Sequence, residues 1–209
     1  MKKETKITKY QILLLIATIA YIIIFGIYYL MTKNYEFLGY VLVLFIILAL
    51  MIFLHLKYNL TSGVLTGISI WGLIHMAGGS LYINGTKLYA LMIFNLYNSP
   101  IQPEFRILKF DQFAHFYCYV FITILMFYIL KPYLKEKFNW FAISVILVFI
   151  GMGIGALNEI LEFIAVIVIK DTGVGGYYNN LLDIIFNTLG AIAAAIYIYF
   201  KENYKGIKK

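Results

Sequence analysis

The chain has 209 residues, of which 63% are hydrophobic and 13% charged, and a formal net charge of +7. A soluble domain carries roughly twice that charged fraction, so a water-soluble enzyme or binding domain is excluded. The basic excess lies in short loops and at both termini rather than along one soluble face, which argues against a nucleic-acid partner and leaves the lipid bilayer as the surrounding solvent.

Apolar runs recur at lengths near 20 residues, as needed to cross a hydrocarbon core about 30 Å thick. The first follows Lys2, Lys3, Lys6 and Lys9 and extends from about Ile12 to Met31. It has the charge of a signal peptide but not the length or the small-residue cleavage site, and reads as a retained helix. The second runs from Leu38 to Leu54, with His55 and Lys57 at its interfacial end; the third runs from about Thr61 to Tyr82 and carries His75. Asn84-Gly85 has the centre of a two-residue hairpin, and Leu88 to Tyr97 reads as a short apolar segment along the interface. After Pro103 and Arg106 the fourth run starts near Asp111 and ends at Leu130. The fifth, Trp140 to Ile169, exceeds the bilayer requirement unless tilted. The glycine-rich loop from Asp171 to Gly176 reads as a mobile cover, and the sixth run is Leu181 to Phe200. Gly151 and Gly155, four apart, permit close helix approach. Cys118 is the one cysteine, so an intrachain disulfide is excluded. The expected fold is an all-α integral membrane protein: one polytopic domain over 1–209, a bundle of about six transmembrane helices with a small outer hairpin and loop cap.

Positive charge orients this bundle. With both termini in the cytoplasm, the inner stretches hold twelve of the 17 basic residues: Lys2, Lys3, Lys6, Lys9, Lys57, Lys131, Lys135, Lys137, Lys201, Lys205, Lys208 and Lys209. The outer stretches hold Lys33, Lys87, Arg106, Lys109 and Lys170. The positive-inside rule expects this bias for six spans of a plasma-membrane protein.

Six ionisable residues lie inside or at the lip of these spans: His75, Asp111, His115, Glu159, Glu162 and Asp183. Charge within a bilayer is costly, so such residues face a protein interior or a wet cavity and mark function. At 1.5 Å per residue, Glu162 lies about 12 Å and Glu159 about 16 Å below Lys170, and His75 about 10 Å below Tyr82. Asp111 and Asp183 begin their helices at the outer surface, with His115 one turn deeper. Four helices thus bring polar groups to one depth band. Asp111 with His115 and Asp183 with Asn187 are spaced i, i+4, and Glu159 with Glu162 i, i+3, so each pair shares a helix face. Asp111, His115, Glu159, Glu162 and Asp183 are the candidate catalytic residues. His75, Asp111, His115, Glu159 and Glu162 are candidate ligands for a divalent ion such as Zn, Mn or Fe, since mixed imidazole and carboxylate sets suit those metals.

At these residues the chain resembles a known family. Phe110-Asp111-Gln112-Phe113-Ala114-His115-Phe116, the pair within Glu159-Ile160-Leu161-Glu162-Phe163, and Asp183 through Ala191 look like successive signatures of the YjdF family of bacterial and archaeal membrane proteins, preceded by a similar histidine and glycine element at His75-Met76-Ala77-Gly78-Gly79. The Asp-x-x-x-His and Asp-x-x-x-Asn-x-x-Gly elements are also similar to VanZ-like proteins. The resemblance covers about 75–195 and implies a multi-pass membrane protein. Two positions depart from it: Phe163 stands where the family tends to have Trp, and Asn179 where it has a further Asp.

Three readings stay open at this stage. One is a membrane enzyme acting on a lipid or lipid-linked substrate, with a metal or a carboxylate activating water. Another is a proton-coupled transporter using the acid and histidine chain as a relay. The third is an accessory protein whose polar network only cross-links helices. Proline interrupts none of the proposed spans and no inverted repeat is visible, which favours the enzyme. Oligomeric state is not legible.

Overall fold

The computed structural model describes residues 7–98, 100–101, 105–134, 138–169 and 172–207. Lys2, Lys3, Lys6, Pro103, Lys135, Lys137, Lys170, Asp171, Lys208 and Lys209, which the topology and loop readings use, lie outside the described residues. Helix α1 (Lys9–Thr32) starts at a reciprocal cap: Thr8 Oγ1 accepts from the Gln11 N–H at 3.2 Å, and Gln11 Oε1 accepts from the Thr8 N–H at 2.9 Å. It ends at Lys33 in a left-handed conformation, φ 55°, and Asn34 at once caps α2 (Tyr35–Tyr58) by accepting from the Phe37 N–H at 3.2 Å. So short a turn makes α1 and α2 an antiparallel pair. Asn59, also left-handed, ends α2, and α3 (Ser62–Ser80) returns. Three further helices follow: α4 (Phe110–Leu130), α5 (Trp140–Val168) and α6 (Tyr177–Ile207).

Cross-helix hydrogen bonds fix the directions. Tyr10 Oη lies 2.8 Å from Thr66 Oγ1, and Tyr29 Oη donates to the Met76 carbonyl at 2.5 Å, so α3 runs parallel to α1 along its length. Asn179 donates to Asp111 at 3.1 Å and Lys131 donates to Glu202 at 2.5 Å, so α4 and α6 are also parallel. The six helices alternate, with the start of α1 and the end of α6 together at what is here termed the terminal end. Asp111, Asn179 and the last turns of α3 and α5 gather at the opposite, site end.

Among the described residues, five of the six helices are long and apolar enough to cross a membrane by length and composition. The exception, α3, has 19 residues diluted by Gly, Ser, Thr and His, and packs between α1 and α4. The perimeter exposes large apolar side chains such as Leu13, Leu30, Phe141, Phe149 and Ile167, as lipid contact requires. Small residues allow the close approach of α4, α5 and α6. A Cβ placed on Gly190 would lie 2.4 Å from the Phe116 carbonyl oxygen, and one on Gly151 would lie 2.6 Å from Ala191 Cβ.

Helices α1, α2, α4 and α6 extend beyond the apolar runs, whereas α3 and α5 end one or two residues short of them. At α6 the extension matters: the helix starts at Tyr177, so Asp183 stands nearly two turns inside it rather than at its start. Two features differ more. The segment after the third helix, read as a short apolar segment along the interface, folds as a cap of short strands. Strands β1 (Tyr82–Ile83) and β2 (Thr86–Lys87) form the expected hairpin, with Asn84 and Gly85 both at positive φ, 50° and 79°. A 3-10 turn at Leu88–Ala90 leads to β3 (Met92–Asn98), antiparallel to β4 (Arg106–Lys109). Ile93, Phe94 and Tyr97 favour strand, and β4 supplies the partner for their backbone. His55, read as interfacial, is instead buried, because its face of α2 continues the stripe of Leu44 and Met51 toward α1 and α3.

Candidate carboxylate and histidine centre

Helix α4 supplies Asp111 and His115, α5 supplies Asn158, Glu159 and Glu162, and α6 supplies Asn179, Asn180, Asp183 and Asn187. The start of α4 is set by Gln112, whose side chain is fully buried. Its Oε1 accepts from the backbone N–H groups of Leu108 at 2.5 Å and Lys109 at 3.1 Å, and its Nε2 donates to the Arg106 carbonyl at 3.0 Å. These bonds hold Leu108 at φ 77°, a conformation a leucine adopts only when its surroundings over-determine it. The sharp entry puts Asp111 and His115 on the face toward α5 and α6.

His115 is the hub. Its Nδ1 lies 2.9 Å from Asn187 Oδ1, which as an acceptor fixes the ring proton on Nδ1. Nε2 is then free, 3.7 Å from Asp111 Oδ1, while Glu159 Oε1 lies 3.7 Å from Nδ1 on the other side. Amide side chains orient the acids. Asn179 Nδ2 donates to Asp183 Oδ2 at 2.6 Å and to Asp111 Oδ2 at 3.1 Å, and its Oδ1 accepts from Lys109 Nζ at 2.9 Å. Asn180 Nδ2 donates to Glu159 Oε2 at 2.7 Å, and Asn158 Nδ2 donates to Glu162 Oε1 at 2.8 Å. Gly155 makes room for Asn187, since a Cβ there would lie 3.0 Å from Asn187 Nδ2.

Two sets of ligand-type atoms therefore meet at His115. Asp111, His115 and Asp183 form one, and His115, Glu159 and Glu162 the other, each with its atoms within 4.8 Å of one another. Asp183 Oδ1 and Glu159 Oε1 are buried and have no hydrogen-bond partner among the described residues. Unpaired carboxylate oxygens in a dry interior are costly, and a divalent cation fits the set of Asp111, His115 and Asp183: carboxylate donors with an imidazole that offers Nε2 and is held through Nδ1 by a second partner.

A cavity of about 60 Å³ opens beside the centre. Asp111, His115, Asn158, Glu162 and Asn179 form its polar wall, and Phe37, Tyr40, Trp71, His75 and Tyr89 face them. His75 thus shares the cavity but joins neither ligand set among the described residues. Its Nδ1 lies 2.5 Å from Tyr89 Oη, and its ring packs on Trp71 and, edge to face, on Tyr40. Burial pushes the Tyr89 phenol well above its ordinary range, with Asp111 adding to the rise, so Tyr89 keeps its proton. The glycine-rich loop covers the opening: Gly173, Val174 and Gly175 line the cavity, and the Gly173 N–H donates to Glu36 Oε2 at 2.6 Å. The part of this loop that is described is held by Glu36.

All six sequence candidates border this cavity or the acid cluster beside it. The orienting residues Gln112, Asn158 and Asn180, the latch residue Glu36, and Tyr89 are additions. Asn158 lies next to an acid in sequence, and Asn179 and Asn180 lie four and three residues from one, which is a weak signal; nothing in the sequence marks Tyr89.

The fold and centre define a multi-pass helical membrane protein with an acid and histidine cluster buried at one end of its bundle. The chain belongs to the family described as "predicted membrane protein (DUF2238)", whose model matches residues 10–203. This is the family that the YjdF signatures resemble. No curated protein and no solved structure matches the chain.

Proposed function

We propose that the protein is a membrane enzyme that acts on a lipid or lipid-linked substrate, with Asp111, His115, Glu159, Glu162 and Asp183 as its reaction centre. The observation that carries this reading is the pair of buried, unpartnered carboxylate oxygens on Asp183 and Glu159, on either side of a histidine whose proton is fixed by Asn187. A network that only cross-linked helices would satisfy these atoms.

Asp111, His115 through Nε2, and Asp183 are the residues that would hold a divalent ion such as Zn, Mn or Fe. Such an ion, when bound, supplies Lewis acidity and lowers the pKa of a coordinated water. Glu162 borders the cavity beside this set and acts as general base toward water or a substrate hydroxyl. Glu159 lies deeper, tied by Asn180, with its Oε1 3.7 Å from the Nδ1 side of His115, where its carboxylate faces the ring. Tyr89 and His75 form a neutral, hydrogen-bonding wall against which the uncharged part of a substrate rests.

Two observations support a lipid-like substrate over a soluble one. The cavity has a polar wall and an aromatic wall, suited to a molecule with a polar head on an apolar body. Glu159 also lies nine residues before the end of α5, about 13 Å along the helix axis, a depth within the bilayer. The bias of basic residues supports a terminal end in the cytoplasm and a centre in the outer half of the plasma membrane. Helices α4, α5 and α6 run unbroken past the centre, which favours chemistry at a fixed site over alternating access.

Comparative lipid mass spectrometry tests this reading. Membranes from cells expressing the protein should lose one lipid or lipid-linked species and gain another relative to cells expressing Glu162→Gln or Asp183→Asn at equal levels. Identical lipid profiles in all three would overturn the enzyme reading.

A further inference from the structure

A second cavity, about 180 Å³, lies between α1, α2 and α3 and reaches toward the terminal end. Its walls are three helix faces: Leu14 and Thr18 from α1, Leu44, Met51 and His55 from α2, and Ile68 from α3. Leu65 and Gly72 extend the α3 face, and all three sets follow helical spacing, so whole faces line a channel that the helices leave open. Most polar groups along it are already satisfied. Thr18 Oγ1 donates to the Leu14 carbonyl at 2.8 Å and pairs with Ser69 Oγ at 2.6 Å, and Tyr21 Oη donates to the Ser69 carbonyl at 2.9 Å.

His55 is the exception. It is 7% exposed, and both ring nitrogens are buried without a hydrogen-bond partner among the described residues. The ring lies three residues before the end of α2, within its last turn. An imidazole carries one N–H donor and one acceptor. The two nitrogens point to opposite sides of the ring, so one head group reaches one of them. The missing occupant must fill an apolar channel and end in a group that bonds an imidazole nitrogen. A carboxylic acid on a long hydrocarbon chain does so by donating its O–H to the unprotonated nitrogen. An ester has no proton to donate and could only accept, and a phosphate head would forgo its hydration in an apolar channel.

We propose that the channel binds a long-chain fatty acid from the leaflet at the terminal end, its chain between the three helix faces and its carboxyl group on His55. Trp71 lines both this channel and the cavity of the acid and histidine centre, separating the two. The site does not depend on the reaction proposed for that centre.

The test is photolabelling of the full chain in lipid nanodiscs with a diazirine-bearing palmitic acid, with labelled peptides mapped by mass spectrometry. Labelling should saturate and fall on α1, α2 and α3. Loss of the imidazole in His55→Leu should raise the half-saturating concentration about tenfold, and Leu48→Trp, which fills the channel, should abolish saturable labelling. On the unaltered protein, methyl palmitate should compete about tenfold more weakly than palmitic acid, a comparison that does not require any variant to fold. Labelling that does not saturate, that maps outside these helices, or that the methyl ester suppresses as well as the free acid would overturn the proposal.

Discussion

His115 Nδ1 and Asn187 Oδ1, 72 residues apart, meet at 2.9 Å between α4 and α6. The contact decides which histidine nitrogen faces the acids. Replacing Asn187 by Ala should leave the ring free to rotate and weaken divalent-metal binding about 10- to 100-fold. Asn187→Asp, which keeps an acceptor, should retain most of the affinity. Isothermal titration with Zn or Mn on detergent-purified protein measures both, and equal affinities for unaltered protein and Asn187→Ala would show that Asn187 does not orient His115.

Asn179 holds Asp111 and Asp183 together with one amide nitrogen and stands where the resemblance implies a carboxylate. Asn179→Asp should set three like charges side by side. The apo protein should then melt at a lower temperature, and its melting temperature should rise more on adding metal than that of the unaltered chain. Thermal unfolding with and without EDTA checks this; an unchanged metal response would remove position 179 from the centre.

Gln112 satisfies two backbone N–H groups and one carbonyl at the entry to α4. Gln112→Ala leaves them unmade, at about 1–3 kcal/mol for each group that water does not reach. It should lower the melting temperature and reduce metal affinity together, because Asp111 and His115 follow directly. A stable Gln112→Ala variant with unaltered metal binding would refute this positioning role.

Packing between α4 and α6 gives a sign test. Gly190→Ala meets the Phe116 backbone and must push the helices apart, at a cost of about 1–3 kcal/mol. Gly153→Ala meets nothing within 4 Å and should be neutral or stabilising, since alanine is the better helix former. Melting temperatures of the two variants should move in opposite directions or differ clearly.

Membrane orientation is open to direct labelling. Cysteines introduced at Lys33 and Lys109 should react with an impermeant maleimide from outside the cell, and one at Lys131 only after permeabilisation, as the distribution of basic residues requires. Cys118 is buried and can be replaced by Ala to remove background. The reverse pattern would move the centre to the cytoplasmic half.

Much of the architecture was legible because the bilayer imposes strong rules. Apolar runs marked the helices, and the cost of charge in lipid singled out His75, Asp111, His115, Glu159, Glu162 and Asp183 before any contact was known. Helical spacing predicted that Asp111 and His115 share a face, as they do at 3.7 Å. The contacts of the amide partners are not legible because their meaning is tertiary: Asn180 reaches Glu159 across 21 residues, and Asn179 reaches Asp111 across 68. Gln112 looked like an ordinary polar residue at a helix start, since its partners depend on Leu108 taking a left-handed conformation. The β3 and β4 ribbon was missed for a similar reason, as a short apolar run reveals neither its pairing partner nor its register. His55 was read from its place at a helix end, whereas its burial comes from which face of α2 turns toward α1 and α3.

Metal content bears most directly on the centre. The full chain, purified in detergent from metal-replete cells and measured by inductively coupled plasma mass spectrometry, should carry a stoichiometric divalent ion of the Zn, Mn or Fe type. His115→Ala and Asp183→Asn, shown to be folded by their helicity and gel-filtration profile, should lose it. Unaltered protein that neither carries nor takes up such an ion, or folded variants that retain it in full, would contradict the assignment of Asp111, His115 and Asp183 as a metal centre.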